Sequence, residues 1–187
     1  MGINAAAMTF PAGASGNSEP PMPIDPANTI YYRRARFTTR LPVDRQYVAS
    51  HFWLLEVAPG CWRVGLTKFA TRMLGDLVEY DFSIAVGEAV RLGQPIGSVE
   101  GFKAVAELYC VASGTFAGGN PALNQDPTLV DADPYDRGWL YEVHGQSDPV
   151  AMGASGYVEL LDSIIDRLLE QSNQHQGDDT CFRPDIS

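Results

Sequence analysis

The central part of the chain alternates short apolar runs with glycine-containing turns. The runs are four to six residues long and follow one another closely, at residues 62–67, 77–82, 89–92, 95–99, 107–111 and 138–143. Many short strands separated by glycine turns are typical of an all-β sandwich or barrel. The pattern therefore predicts a mainly β domain.

Two segments depart from this pattern and predict helices. Residues 69–74 predict a short internal helix that ends at Gly75. From residue 156 onward, apolar residues recur at intervals of three and four, at Tyr157, Leu161, Ile164, Ile165 and Leu168. This spacing predicts a C-terminal amphipathic helix, capped by Ser155, that covers apolar surface of the β domain.

The composition predicts where the folded domain begins and ends. Residues 1–30 are rich in Ala, Gly, Ser, Asn and Pro and predict a flexible leader. Residues 31–172 are expected to hold the domain with its C-terminal helix, and residues 173–187 a polar tail that includes Cys181. Near the start of the domain lies a basic segment, which predicts a solvated strap or a docking strip for an acidic partner. Its arginines are Arg33, Arg34, Arg36, Arg40 and Arg45.

The charge and the apolar runs exclude several classes of function. With 23 acidic and 13 basic residues, the formal net charge is -10, which disfavours nucleic-acid and anionic-membrane partners. No apolar run approaches the ~20 residues that span a bilayer, and the N-terminus has no basic flank of a secretory signal. We therefore expect a soluble, cytoplasmic protein. The three cysteines and three histidines lie far apart in sequence, so we expect neither a disulfide framework nor a metal site.

Lysine is rare in this chain, which contains only Lys68 and Lys103 beside eleven arginines. An amine can lose its proton and be acylated, whereas a guanidinium stays charged, so a covalently attached cofactor requires lysine. Lys103 lies between two strand-like runs, with Gly101 nearby, and is expected on an exposed hairpin. A hairpin lysine is by itself an ordinary solvated charge, and Lys68 is most simply one as well.

An ordered set of sequence blocks sets Lys103 apart. The blocks are 47–54, 64–67 with 69–70, 74–78, 97–104, 113–114, Asn120 with Leu123, and 133–140. In this order and spacing the chain resembles the H-protein family of the glycine cleavage system, and the resemblance aligns Lys103 with the family's lipoylated lysine. It implies a barrel-sandwich hybrid fold of the lipoyl/biotinyl-carrier type, with lipoate attached covalently as N6-lipoyl-lysine.

The resemblance also implies a function without catalysis. Such a protein is a carrier whose swinging lipoyl arm passes an aminomethyl group between partner enzymes. The partners would be glycine decarboxylase, aminomethyltransferase and dihydrolipoamide dehydrogenase, and a lipoate ligase or lipoyl transferase would attach the arm.

Three further residues are expected at the cofactor site. Glu107 supplies a carboxylate four residues beyond Lys103, and Phe52 stands where the family's Ser-His-Glu-Trp block has its glutamate. His51 belongs to the same block and is taken as cofactor-binding, although a histidine beside Trp53 is more often packed structurally.

Several alternatives remain open. Because Phe52 makes the arm's surroundings more apolar, the chain is also compatible with H-protein-like lipoate-binding carriers of bacterial sulfur oxidation, which work with heterodisulfide-reductase-like complexes, or with a lipoate relay. A biotin carrier is a rival for the cofactor, but such carriers typically flank the lysine with methionines, and here Phe102 and Ala104 flank it. An unmodified β-barrel binding module is the alternative from another class.

Overall fold

A computed structural model of the chain describes residues 26–178, with side chains described to residue 171. This part of the chain forms eleven strands and three α-helices. The strands are β1 Thr29–Arg34, β2 Phe37–Pro42, β3 Gln46–Tyr47, β4 Phe52–Ala58, β5 Cys61–Leu66, β6 Leu77–Phe82, β7 Ala89–Val90, β8 Pro95–Gly101, β9 Val105–Tyr109, β10 Ala112–Gly119 and β11 Trp139–Ser147. The helices are α1 Lys68–Leu74, α2 Leu129–Ala132 and α3 Ala154–Asp178. The prediction of a mainly β fold with a short internal helix and a C-terminal helix is confirmed.

The strands form three antiparallel sheets. The largest has six strands in the order β3-β4-β5-β11-β10-β7, the second has the order β6-β8-β9, and β1 and β2 form a separate hairpin. One apolar core is shared by the six-stranded and three-stranded sheets. It includes Leu54 and Val64 from the first sheet and Ile96 and Leu108 from the second. Two sheets closed over one core satisfy the burial requirement of a sandwich or barrel.

Strand β4 is apolar at successive positions rather than at alternate ones, because its side chains are buried on both faces of the sheet. Phe52 and Leu54 face the shared core, whereas Trp53 faces a second cluster on the other side of the sheet. The Trp53 indole donates to the carbonyls of Leu66 and Pro134 at 3.0 and 2.8 Å. A Cβ at Gly65 would lie 2.5 Å from the Trp53 ring, so glycine there makes room for it. The sheet is therefore covered on both faces.

The second cluster joins the hairpin β1–β2 to helix α3. Tyr32, Phe37 and Leu41 of the hairpin pack with Tyr157 and Leu161 of the helix. Polar contacts reinforce this packing at its edge. The Tyr32 hydroxyl and the Arg34 guanidinium donate to Asp162, and Arg34 also donates to Asp166 at 2.6 Å.

The basic segment is therefore folded, and two of its five arginines have contacts within the fold. Outward-facing arginines alternate with inward-facing residues along the hairpin, and Arg34 is used in the contact with α3. Arg45 is only 7% exposed and donates to the Tyr135 carbonyl and the Asp44 carboxylate. The prediction of a solvated strap was wrong for these two side chains.

The ends of the domain differ from the predicted division. Thr29 and Ile30, placed in the leader, pair with β2, and the backbone of α3 continues to Asp178, past the predicted start of the tail. Most of the predicted leader and the part of the tail that holds Cys181 lie outside the described residues. The cap prediction was wrong, because α3 begins at Ala154 and the Gly153 carbonyl accepts the first helical hydrogen bond, from Tyr157 N. None of the helices described between residues 26 and 178 is both long and apolar enough to cross a membrane.

Candidate functional site

Lys103 lies at the tip of the β8–β9 hairpin. The Gly101 N–H donates to the Ala104 carbonyl at 2.9 Å and closes the turn. Two further backbone hydrogen bonds fasten this turn to the end of α1, from Lys103 N to the Leu74 carbonyl at 3.0 Å and from Phe102 N to the Asp76 carbonyl at 3.1 Å. The backbone of Lys103 is therefore fixed while its side chain remains exposed.

Helix α1 provides the platform on which this turn rests. Thr67 caps its N-terminus by accepting from Ala70 N, and Gly75 ends it with φ +80° and ψ −171°, a region that is almost exclusive to glycine. A Cβ at Gly75 would lie 3.1 Å from Lys103 Cγ. The Lys103 ammonium lies over the helix end, 3.4 Å from the Arg72 carbonyl, where the helix dipole favours a cation.

The two lysines of the chain have different surroundings. Lys68 Nζ donates to the Asp131 carbonyl at 2.6 Å and to its carboxylate at 2.8 Å, so this amine is held in an ion pair. Burial raises the pKa of Asp131, but hydrogen bonds from Lys68 and Thr71 outweigh it and bring the pKa below its ordinary value. Asp131 is thus part of a bridge between α1 and α2. Within the described part of the chain, the Lys103 ammonium has only the weak contact to the Arg72 carbonyl.

A groove of about 410 Å³ opens between α1, the β8–β9 hairpin and the start of β4. Most of its lining is apolar, including Leu66, Met73 and Val99. Three of the four residues predicted at the site, His51, Phe52 and Glu107, line it. Lys103 does not, but its neighbour Ala104 does. Residues distant in sequence therefore meet in a cavity beside the lysine hairpin.

Phe52 and Glu107 have opposite characters within this groove. Phe52 is 4% exposed and belongs to the shared core, opposite Leu66 in the sheet. Glu107 is exposed, and its carboxylate accepts a hydrogen bond from the Tyr109 hydroxyl. Among the described residues of the lining, Glu107 is the one carboxylate. The groove is thus apolar in its depth with a negative charge at the surface.

His51 is fixed in an uncommon backbone conformation. Its φ is +65°, and its ring packs against Phe69 with 4.7 Å between ring centroids. Nδ1 lies 2.8 Å from the Tyr157 hydroxyl, which comes from α3. Burial lowers the pKa of His51 and so favours the neutral imidazole. The sequence did not reveal this contact, because the two residues are 106 positions apart.

Comparisons with known proteins agree on one family. A sequence model of the family described as "Glycine cleavage H-protein" matches residues 45–159. A glycine cleavage system H protein of Mycobacterium bovis is 37% identical over 123 residues, which is 66% of this chain and 91% of the relative. One from Micrococcus luteus is 42% identical over 104 residues, covering 55% of this chain and 80% of the relative.

A solved structure gives the same result for the fold. The crystal structure of a glycine cleavage system H protein from Mycobacterium marinum superposes with a TM-score of 0.58 at 39% sequence identity. The match covers 64% of this chain and 97% of that one. The hairpin β1–β2 and most of α3 lie outside the residues that the family model matches.

Proposed function

Because this chain belongs to the glycine cleavage H-protein family, we propose that it is a non-catalytic carrier bearing a lipoyl group on Lys103. The observation that carries this proposal is the geometry of the hairpin. Its backbone is fastened to α1, yet its lysine amine is exposed and without a carboxylate partner among the described residues. A modifying enzyme needs an accessible amine in a fixed place, and Lys103 meets both conditions.

The residues around Lys103 fit a lipoyl group. Phe102, 80% exposed, and Met73, 54% exposed, present apolar surface next to the lysine, and the groove behind them is lined by apolar side chains. Such surface shelters an eight-carbon chain from water. We assign His51, Phe52 and Glu107 to the residues that hold this group. When bound, it would supply a disulfide that accepts the two electrons released as glycine loses carbon dioxide, so that one sulfur takes the aminomethyl group and the other becomes a thiol.

In this proposal the chain delivers its cargo to other proteins rather than reacting on its own. Its partners are glycine decarboxylase, aminomethyltransferase and dihydrolipoamide dehydrogenase, with a lipoate ligase or lipoyl transferase attaching the cofactor in the cytoplasm. Glu107 is the side chain suited to neutralise a cationic cargo in the groove.

The test is reconstitution with glycine decarboxylase. Lipoylated chain is expected to support glycine-dependent release of carbon dioxide, and Lys103→Arg is expected to abolish it. Lys68→Arg is the matched control, because it removes the other lysine while keeping the charge that pairs with Asp131. Release of carbon dioxide at an equal rate with Lys103→Arg would contradict the proposal.

One observation favours a second candidate, a lipoyl carrier for sulfur that works with a heterodisulfide-reductase-like complex. The deep part of the groove is formed by Phe52, without a second carboxylate in the described lining. An uncharged sulfur cargo needs no counter-charge, whereas burying an ammonium does. If glycine decarboxylase leaves the lipoylated chain unmodified but a heterodisulfide-reductase-like complex oxidises its sulfur-loaded form, the second candidate replaces the first.

A further inference from the structure

Three side chains form a hydrogen-bonded chain that runs from inside the fold to the groove. Thr67 Oγ1 lies 2.9 Å from the Tyr157 hydroxyl, and that hydroxyl lies 2.8 Å from His51 Nδ1. Thr67 and Tyr157 are both fully buried, at 0% exposure. His51 lines the groove. The arrangement therefore connects the cap of α1, helix α3 and the candidate site.

The direction of these hydrogen bonds follows from counting donors and acceptors. Thr67 Oγ1 accepts from Ala70 N, and its own hydrogen has one acceptor among the described atoms, the oxygen of Tyr157. A buried hydroxyl hydrogen without an acceptor is costly, so Thr67 donates to Tyr157. The Tyr157 hydrogen is then left with His51 Nδ1 as its acceptor. Nδ1 consequently accepts, and the proton of the neutral imidazole lies on Nε2.

The second ring nitrogen has no such partner. None of the residues described between 26 and 171 accepts a hydrogen bond from His51 Nε2, and this atom is not buried. Adding a proton to Nδ1 would reverse the donor and acceptor roles in these hydrogen bonds and leave the Thr67 hydroxyl hydrogen without an acceptor. This cost acts in the same direction as burial, which lowers the pKa of His51. His51, a lining residue of the groove, thus has a fixed ring with a neutral N–H donor.

We propose that His51 Nε2–H donates a hydrogen bond to the sulfur end of the reduced lipoyl arm, and that Thr67 and Tyr157 are positioning residues that orient this donor. The inference rests on the proposed function, since it assumes lipoyl chemistry in the groove. An arm of this kind has polar atoms only at its amide and its sulfurs. The amide would form at Lys103 Nζ beside the Arg72 carbonyl, and neither residue lines the groove. The sulfurs are therefore the acceptors that such an arm can offer to His51 in the groove, and the ionised thiol of a reduced arm accepts better than a disulfide sulfur.

The test uses the full-length chain without attached lipoate and two soluble ligands. Dihydrolipoamide carries the sulfurs, whereas octanamide has a comparable alkyl chain without them. Titrations followed by NMR give the two dissociation constants and the ¹⁵N shifts of the His51 ring. We expect Nε2 to carry the proton, its resonance to move with dihydrolipoamide but not with octanamide, and dihydrolipoamide to bind about 2- to 10-fold more tightly.

Variants separate the donor from the fold around it. His51→Asn keeps a side chain that tolerates positive φ and accepts from Tyr157, but removes the donor facing the groove, so the preference for dihydrolipoamide should disappear. Tyr157→Phe should reduce it by releasing the ring. Tyr47→Phe is the matched control, because Tyr47 stacks on Tyr157 and donates to the Pro42 carbonyl without contacting His51, and it should keep the preference.

Three results would overturn the inference. These are a proton on Nδ1, an unchanged ligand preference in His51→Asn, or no binding of dihydrolipoamide by the unmodified chain. None of them depends on acylation of Lys103. Failure of the proposed function would instead appear as an unmodified Lys103 after treatment with a lipoate ligase, so the two failures are distinguishable.

Discussion

Replacing Gly101 with alanine should detach the lysine hairpin from α1. Gly101 is buried where β8 meets the end of that helix. A Cβ there would lie 2.5 Å from the Leu74 carbonyl oxygen and 2.7 Å from Leu74 Cγ. Ordinary contacts of a Cβ begin near 3.4 Å, and a helix carbonyl cannot rotate out of the way as the tip of a side chain can. The hairpin itself must retreat by about 0.9 Å.

This retreat determines how much unfolding free energy the variant loses. The bonds from Lys103 N to Leu74 O and from Phe102 N to Asp76 O, now 3.0 and 3.1 Å, would both exceed hydrogen-bonding length. Each contributes about 0.5–1.5 kcal/mol net, so the variant should lose about 1–3 kcal/mol of unfolding free energy. That is the range generally seen when a packed interior is overfilled. The melting temperature should fall by roughly 2–4 °C for each kcal/mol.

Urea unfolding at constant pH measures the loss, and a lipoate ligase assay measures its consequence. Acylation of Lys103 should slow, because the amine is no longer held in a fixed position. The control is Gly153→Ala, where no heavy atom lies within 4 Å of the added Cβ and φ is not positive. If Gly101→Ala unfolds with the same free energy as this control and is acylated at the parent rate, the hairpin is not held as described.

Three further predictions concern the helices and the two lysines. Leu161→Ala should lower the free energy of unfolding by about 2–5 kcal/mol, because this α3 side chain is fully buried. Leu169→Ala, on the same helix but 43% exposed, should lower it by under about 0.5 kcal/mol. Urea unfolding of both variants measures the difference. The folded-state pKa of Asp131 is below its ordinary 3.8. The stability that ionised Asp131 contributes to the fold is therefore complete above pH 3.8 and is lost as the pH falls through the folded-state pKa. Asp131→Asn should therefore flatten the acid limb of the stability profile, and an unchanged limb would contradict the bridge to Lys68. Limiting acetic anhydride should acetylate Lys103 faster than Lys68, as read by peptide mapping, because Lys68 is held by Asp131; equal rates would refute this difference.

Much of the β fold can be predicted from the sequence because apolar runs bounded by glycines correspond to strands. The run at 77–82 coincides with β6, and Gly75 ends α1 as predicted. The hairpin β1–β2 was missed because its outward positions carry arginines and its inward ones, such as Phe37, Thr39 and Leu41, include a polar residue. Strand β10 was missed because small residues and glycines dominate it, so its burial depends on neighbouring strands rather than on its own side chains.

The candidate site could be predicted only in part, because only some of its residues lie close together in sequence. Lys103 could be singled out because lysine is rare and its sequence block is local. The groove could not, because its lining comes from α1, β4, β5, β8 and β9, which only the tertiary fold brings together. The same holds for the hydrogen bonds that join His51, Tyr157 and Thr67, which lie before β4, on α3 and at the cap of α1. Hydrogen-bond satisfaction of buried groups is a property of the packed structure.

The measurement that tests the central claim most directly is the intact mass of the full-length chain after treatment with a lipoate ligase, lipoate and ATP. We predict that the parent chain and Lys68→Arg each gain the mass of one lipoyl group, mapped in the parent to Lys103, while Lys103→Arg gains none. A parent chain that stays unmodified under conditions that lipoylate a known H protein, or a Lys103→Arg variant that still gains the group, would contradict the claim.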